Sequence, residues 1–407
     1  MTQRRMPRWR ELAPLLRPAP RTGTHTERVM RRMASVEDLR RRARRRTPRA
    51  PFDYVDGAAD AEISIARSRN LFANIEFLPN VLRDVSDCDT STTMLGDRVG
   101  YPYGFAPTGF TRMMQHEGEP AIGRVAEAAS IPYALSTMGT TTPDDLAHAA
   151  PNANLWFQLY VWKNRAFSES LIQQARDAGY RALVLTVDLP VGGARLRDVR
   201  NGMTVPPELT LRTFIDGAMH PNWWFNFLTT EPLTFATLET LGGNVADSVT
   251  DIFDASLNFE DLTWLRSQWD GPIVVKGIQN VEDARKVVDL GTAAVILSNH
   301  GGRQLDRSPT PLRLIGPTVE AIGADAEVYI DGGIMSGADV VAAVALGAQG
   351  CFVGRAYLYG LMAGGQAGVQ RMVDIFAGDI ERTMQLLGVR TIADLHPELV
   401  RLPRDIR

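Results

Sequence analysis

Eight short apolar runs, separated by helix-like segments, constrain this chain more than any other feature. They are "YGFAP" from residue 103, "IPYALS" from 131, "LWFQLY" from 155, "ALVLTVD" from 182, "PIVVKG" from 272, "AAVILSN" from 293, "EVYIDGG" from 327 and "GCFVGR" from 350. Runs this apolar read as strands covered on both faces, as in a parallel sheet. Residues 119–129, 169–178, 281–290 and 337–346 carry apolar side chains at spacings of three and four, the pattern of amphipathic helices. Strand alternating with helix requires right-handed parallel crossovers. Eight such units predict an α/β protein, a (β/α)8 TIM barrel, with an open doubly wound sheet as the second solution. Neither G-x-G-x-x-G nor G-x-x-x-x-G-K-[ST] occurs, which counts against a nucleotide-binding open sheet.

Four segments fall outside the repeating unit. Residues 1–34 form a basic arm; the arginine-rich stretch continues to residue 49, through "LRRRARRRTPRA", and either meets an acidic lipid or polyanion or is a solvated helix face. Residues 35–46 and 58–69 read as helices of an N-terminal extension over the barrel bottom or rim, and the main domain is expected over 35–387. A lid insertion of about 190–271 follows strand 4 and carries "HPNWWFNFLTTEPLTF", where Trp223, Trp224, Phe225 and Phe227 cluster. That cluster packs on itself, touches a membrane surface or meets another subunit. Residues 388–407 form a tail.

At 407 residues, 44% hydrophobic and with a net charge of -3, the chain has neither the composition of a disordered protein nor the overall charge of a nucleic-acid binder. Cys88 and Cys351 imply no disulfide framework. The sequence has no secretory apolar region and no uninterrupted 18-residue apolar stretch, so a cytoplasmic chain without a membrane span is expected.

In such a barrel the chemistry sits where the strands end. Those positions hold Pro107, Thr108 and Gly109, then Ser136 and Thr137, Gln158 and Tyr160, and Thr186 and Asp188. The later strands add Lys276, then Ser298, His300 and Arg303, then Asp331, Gly332 and Gly333, and last Gly354 and Arg355. A turn would explain any single Ser, Thr or Asp, but turns do not call for Gln158, Lys276, His300 or Arg303. Lysine occurs only at 163, 276 and 286, and His300 is the one histidine of six that directly follows a strand. The glycines after strands 7 and 8 let backbone N–H groups approach an anion, which implies a phosphorylated ligand. No metal site is expected, since neither H-E-x-x-H nor a Cys/His cluster occurs.

The stretch "SNHGGRQLD" at 298–306 resembles the active-site signature of the FMN-dependent α-hydroxy-acid dehydrogenase and oxidase family. The resemblance extends over "FDYVDGAADAE", "APTGF", "LSTMGT", "WFQLY", "LTVDLPVGGARLRD", "VVKGI", "DGGI" and "GRAYLYG", and is greatest to the bacterial L-lactate dehydrogenase branch. It implies FMN as cofactor and oxidation of a 2-hydroxy acid to a 2-keto acid. By the same resemblance His300 is the base, Asp188 orients it, and Lys276 is the cation beside the flavin. Tyr54, Tyr160, Arg195 and Arg303 correspond to substrate ligands. Ala106, Ser136, Gln158 and Thr186 correspond to flavin-ring contacts, and Asp331, Gly333, Gly354 and Arg355 to the ribityl and phosphate site. Pro107, Thr108, Ser298 and Gly332 complete the expected cofactor contacts.

The family pattern leaves hydride and carbanion routes open, and the electrons pass to a quinone, to oxygen or to another carrier. L-lactate is the expected substrate; mandelate, a longer hydroxy acid or a modified peptide is the alternative, and a non-catalytic FMN-binding scaffold is the remote one. A homotetramer or larger assembly is implied, with peripheral contact on the inner membrane face. Three positions depart from the pattern: Met335 where many members have an arginine toward the FMN phosphate, Gly109 where many have alanine, and Met138 where several have tryptophan.

Overall fold

The computed structural model describes residues 5–15, 22–203, 210–236 and 254–403. Parts of the expected arm (1–4 and 16–21), lid (204–209 and 237–253) and tail (404–407) lie outside the described residues. The eight apolar runs form strands β1 (Tyr103–Phe105), β2 (Tyr133–Ser136), β3 (Leu155–Leu159), β4 (Ala182–Thr186), β5 (Ile273–Ile278), β6 (Ala294–Leu297), β7 (Glu327–Asp331) and β8 (Gly350–Val353). They close into one parallel barrel in which every strand pairs with its neighbours in sequence and β8 returns to β1. This is the expected (β/α)8 TIM barrel.

Alternation along each strand divides the side chains into two layers. Trp156, Val184, Val274, Ile296, Tyr329 and Phe352 fill the barrel interior, while Phe157, Leu183, Val275, Val295 and Val328 face the outer helices. Trp156, Tyr329 and Phe352 form an aromatic trio with ring centroids 5.1 to 6.0 Å apart. A hairpin of Thr92–Met94 and Asp97–Val99 plugs the amino-terminal end, with Met94 and Leu95 reaching the interior cluster and Leu95 N donating to Tyr329 Oη at 3.1 Å. That end is therefore packed, and the carboxyl end is left for a site. Register then pairs Ser136 with Gln158 and Thr186 with Lys276 across adjacent strands.

Helix α1 (Val36–Arg46) buries Val36, Leu39 and Ala43 on one stripe, and Arg42 Nε donates to Ala363 O at 3.0 Å. Much of the arginine run is thus one amphipathic helix, with Arg41, Arg44 and Arg45 on its solvent face. Helix α2 (Arg49–Asp56) follows, and α3 (Ile63–Ala73) replaces the helix expected over 58–69. The later start has a local cause: Asp60 and Glu62 adopt φ of 48° and 61°, which interrupts helical geometry, and the Asp306 carboxylate receives the free N–H groups of Ser64 and Ile63 at 2.8 and 3.3 Å.

Within the lid, α4 (Leu211–Ala218) and α5 (Pro221–Thr229) form an aromatic hairpin. Trp223 stacks on Phe227 with centroids 4.8 Å apart, and Trp224 meets Phe214 edge-on at 5.0 Å. The aromatic cluster packs on itself, yet Phe214, Ile215, Met219, Phe225 and Leu228 remain exposed. After β7 and β8 come α6 (Gly337–Ala345) and α7 (Arg355–Gly364). No helix among the described residues is long and apolar enough to cross a membrane.

Candidate active site

A cavity of about 720 Å³ opens at the carboxyl ends of the strands. Lys276, His300 and Arg303 line it together with Tyr54, Tyr160 and Arg195. The same cavity is walled by Ala106, Pro107, Thr108 and Ser136 on one side, and by Asp331, Gly332, Gly333, Gly354 and Arg355 on another. Gln158, Thr186, Asp188 and Ser298 are buried behind that lining. The sequence-predicted residues therefore converge on one place, most at the surface of the cavity and four supporting it.

The turn after β6 explains the unusual end of that strand. His300, Gly301 and Gly302 take φ of 56°, 62° and 78°, a left-handed path that glycine adopts without strain and histidine does not. Close approach adds a second requirement: a Cβ at Gly301 would lie 2.7 Å from Arg355 Nη1, and one at Gly302 would lie 2.9 Å from Ile65 N. The turn aims the His300 ring at Asp188, whose Oδ1 lies 3.0 Å from Nδ1. With Nδ1 carrying the proton toward that carboxylate, the other ring nitrogen is the basic one. Burial pulls the imidazole below its ordinary value more strongly than Asp188 pushes it up, so the resting ring is neutral. For Asp188, burial works against ionisation, but His300 and Lys276 hold the carboxyl below its usual range.

Lys276 Nζ lies 3.0 Å from Asp331 Oδ2 and donates to Ser298 Oγ at 3.0 Å. Burial alone would neutralise this lysine; Asp331 and Asp188 reverse that and raise it above its ordinary value. A fixed positive charge results at a buried position.

Tyr54 stands between two arginines, with the Arg303 guanidinium 4.7 Å and that of Arg195 5.7 Å from its ring centre. Arg303 donates to Tyr54 O, while Arg195 Nε is buried without a hydrogen-bond partner among the described residues. Burial and the neighbouring Arg195 push the Arg303 guanidinium down to about 9. Guanidinium groups stay protonated in proteins, so both arginines keep their charge at the cavity wall. Asp198 is the carboxyl they do face; burial raises it while Arg303 and Arg195 lower it, with a net upward shift.

Several positioning residues lie inside the matched motifs, although the sequence assigned them no role. Gln304 accepts from Gly193 N at 3.1 Å and donates to Val191 O at 2.9 Å, which ties the loop after β4 to the His300 turn. Asp56 accepts from Arg40 Nε at 2.6 Å, Arg197 Nη1 at 2.9 Å and Tyr359 Oη at 2.8 Å, joining α1, the lid base and α7. A charge ladder of this kind is formed by residues distant in sequence, so spacing could not reveal it.

Two kinds of observation test the cavity for a flavin nucleotide. Gln158 Nε2, Thr186 Oγ1 and Asp331 Oδ1 are buried with no partner among the described residues, as donors and acceptors kept for a polar ring and chain would be. Gly332 and Gly333 turn at φ of 86°, and a Cβ at Gly354 would have no heavy atom nearer than 3.9 Å, which leaves open space at that strand end. The residues fit FMN.

An imidazole paired with a carboxylate, beside two arginines, can take up a proton from a C–H or O–H group of a bound carboxylate; polar atoms left unpaired alongside can hold a planar cofactor. The class is a cofactor-dependent oxidoreductase built on an α/β barrel. The chain belongs to the FMN-dependent dehydrogenase family, whose model matches residues 43–402. A Mycobacterium tuberculosis protein provisionally named an L-lactate dehydrogenase is 52% identical over 398 residues, covering 98% of this chain and 96% of its own. An L-lactate dehydrogenase of Caulobacter vibrioides is 40% identical over 382 residues, covering 91% and 99%. A crystal structure of the monotopic membrane protein (S)-mandelate dehydrogenase superposes with a TM-score of 0.88 at 35% identity, covering 91% of this chain and all of that one. This chain is thus an FMN-dependent enzyme that oxidises a 2-hydroxy acid.

Proposed function

We propose that the chain oxidises L-lactate to pyruvate and passes the electrons to a quinone. The observation that carries this reading is the His300–Asp188 pair at 3.0 Å in the same cavity as Arg195 and Arg303. In this reading the two arginines fork onto the substrate carboxylate, Tyr54 and Tyr160 bind its oxygens, and the 2-hydroxy carbon is held against His300. The unprotonated ring nitrogen of His300 takes a proton from the substrate, and Asp188 stabilises the imidazolium that forms. FMN, when bound, supplies the two-electron sink. Lys276 offers fixed positive charge where electron density accumulates. Ala106, Pro107, Thr108, Ser136, Gln158, Thr186 and Ser298 hold the ring, and Asp331, Gly332, Gly333, Gly354 and Arg355 the ribityl phosphate.

Exposed Phe214, Ile215, Met219, Phe225 and Leu228 support a peripheral contact of the lid hairpin with the inner face of a membrane, where a quinone is reached. Leu82, fully exposed at φ 56° beside exposed Val81, supports burial against another copy in a homotetramer. The domain is proposed over 35–387, between the basic arm and the tail.

A larger hydroxy acid such as mandelate is the second reading, favoured by Gly109 and Met138 at the cavity wall and by apolar Leu189 and Met203 near its mouth. Oxygen is the alternative acceptor. The test is an anaerobic visible spectrum before and after L-lactate, with (S)-mandelate and longer acids in parallel. Bleaching fastest with L-lactate, together with negligible peroxide in air, is the expected result; a flavin band that only the aromatic acid bleaches would replace lactate by the second reading.

A further inference from the structure

Arg355, the cation placed at the FMN phosphate, has three of its five N–H groups engaged elsewhere. Each nitrogen of Arg355 already anchors a backbone carbonyl: Nε to Val55 O at 2.9 Å, Nη1 to Gly301 O at 2.9 Å and Nη2 to Gly57 O at 2.8 Å. These bonds fix the end of α2 against the His300 turn. Met335, which follows the Gly332–Gly333 turn and lines the cavity, brings no charge.

Arg69 does. It projects from α3 into the same cavity, with 41% of its side chain exposed. One nitrogen, Nη1, donates to Gly333 O and to Asp339 Oδ2, the latter at 3.0 Å. Its Nε and Nη2 have no protein partner among the described residues. Asp339 Oδ2 also accepts from Met335 N at 2.8 Å, so a single carboxylate orients both the loop and the guanidinium. Helix α3 is pressed onto the turn, since a Cβ at Gly333 would lie 3.0 Å from Ser68 Cβ and 3.1 Å from Phe72. The distance from Arg69 to the glycine turn is therefore set by packing.

We propose that Arg69 supplies the phosphate-binding cation of this chain's FMN site, held at the Gly332–Gly333 turn by Asp339 and replacing the charge that Met335 lacks. The inference rests on the placement of the phosphate at Gly332, Gly333 and Gly354 given above. A phosphate in that turn would meet the two free nitrogens of Arg69 as a planar fork, which lysine could not reproduce.

The test titrates apoprotein with FMN and with riboflavin, which lacks the phosphate, following quenching of flavin fluorescence. For Arg69→Gln the FMN Kd is expected to rise about 10- to 100-fold, the range of a charge-assisted hydrogen bond, while the riboflavin Kd stays within about 3-fold. Adding Met335→Arg to that variant is expected to recover most of the FMN affinity. Arg69→Lys keeps a cation beside Asp339 and guards against misfolding; it should show a smaller loss, again confined to FMN. An equal loss for both flavins in either variant would make Arg69 a structural residue of α3, and an unchanged FMN Kd would remove it from the phosphate site. Gly354→Ala, which meets no protein atom closer than 3.9 Å, checks the placement itself: it should weaken FMN and spare riboflavin. If it leaves FMN unmoved, the phosphate lies elsewhere and the proposal falls with it.

Discussion

Replacing Asp188 by asparagine keeps the shape of the side chain and removes its charge, which isolates the electrostatic part of the base. Asn fits the same space, bounded by Gly277, where a Cβ would lie 2.7 Å from Asp188 Cβ. The Asp188–His300 separation is 3.0 Å, and at an effective dielectric of about 20 two unit charges there attract by about 5 kcal/mol. That attraction exists only after His300 has gained its proton, so it lowers the barrier rather than tightening substrate binding. Asparagine can also donate to Nδ1, which would place the ring proton on the nitrogen that must accept one. The expected result is a fall of about 10³- to 10⁴-fold in kcat, since each 1.36 kcal/mol is about a factor of ten. KM should change little, because Arg195 and Arg303 are untouched. Anaerobic stopped-flow bleaching of the flavin by L-lactate measures this directly, with FMN content and thermal midpoint confirming that the variant is folded. A loss of less than about 10-fold in a loaded, folded variant would refute the reasoning.

Three other outcomes follow from the same geometry. Because burial holds His300 below its ordinary value, kcat/KM should stay level as pH falls through about 6.5 and decline only below it, as the base becomes protonated; an acid limb above that value would contradict the neutral resting ring. Lys276→Met leaves Asp331 buried without its ion pair, so the protein should lose about 3 to 5 kcal/mol in chemical denaturation and reduce its flavin far more slowly; a variant of wild-type stability would show that the pair is not needed for folding. Gly302→Ala forces a side chain to φ 78° and to 2.9 Å from Ile65 N, which should cost about 1 to 3 kcal/mol in the same assay.

Strand positions were readable because parallel strands buried on both faces are written as unbroken apolar runs, and each strand falls inside its run except β5, which extends one residue past it to Ile278. The barrel rim followed from them, and with it Lys276, His300 and Arg303; Tyr54, Arg195 and Ala106 rested on the family resemblance alone. What spacing could not show was anything settled by a distant partner. The start of α3 depends on Asp306, more than 240 residues away in the chain, and no local pattern around residue 63 records it. Arg355 matched the phosphate position by motif, yet its nitrogens hold carbonyls of α2 and the His300 turn. Arg69 had no motif at all, since its place comes from helix packing.

The segment 298–306 shows why the legible part and the hidden part meet in one place. Ser298 accepts from Lys276 Nζ and from His300 N, each at 3.0 Å, so it joins the cation to the base. Asn299 Oδ1 accepts from Gly302 N at 3.0 Å and closes the left-handed turn. Arg303 reaches Tyr54, Gln304 holds the loop that carries Arg195, and Asp306 caps the helix that carries Arg69. Lys276, His300, Tyr54, Arg195 and Arg69 therefore have their positions set, directly or through one neighbour, by these nine residues. Substitutions within the segment should be strongly non-additive with substitutions at Asp188, Lys276 or Arg69, because each removes part of the same support. Asp306→Ala is the sharpest case: it touches neither cavity nor base, yet by loosening α3 it should weaken FMN more than riboflavin if Arg69 meets the phosphate, and both flavins alike if α3 is only packing.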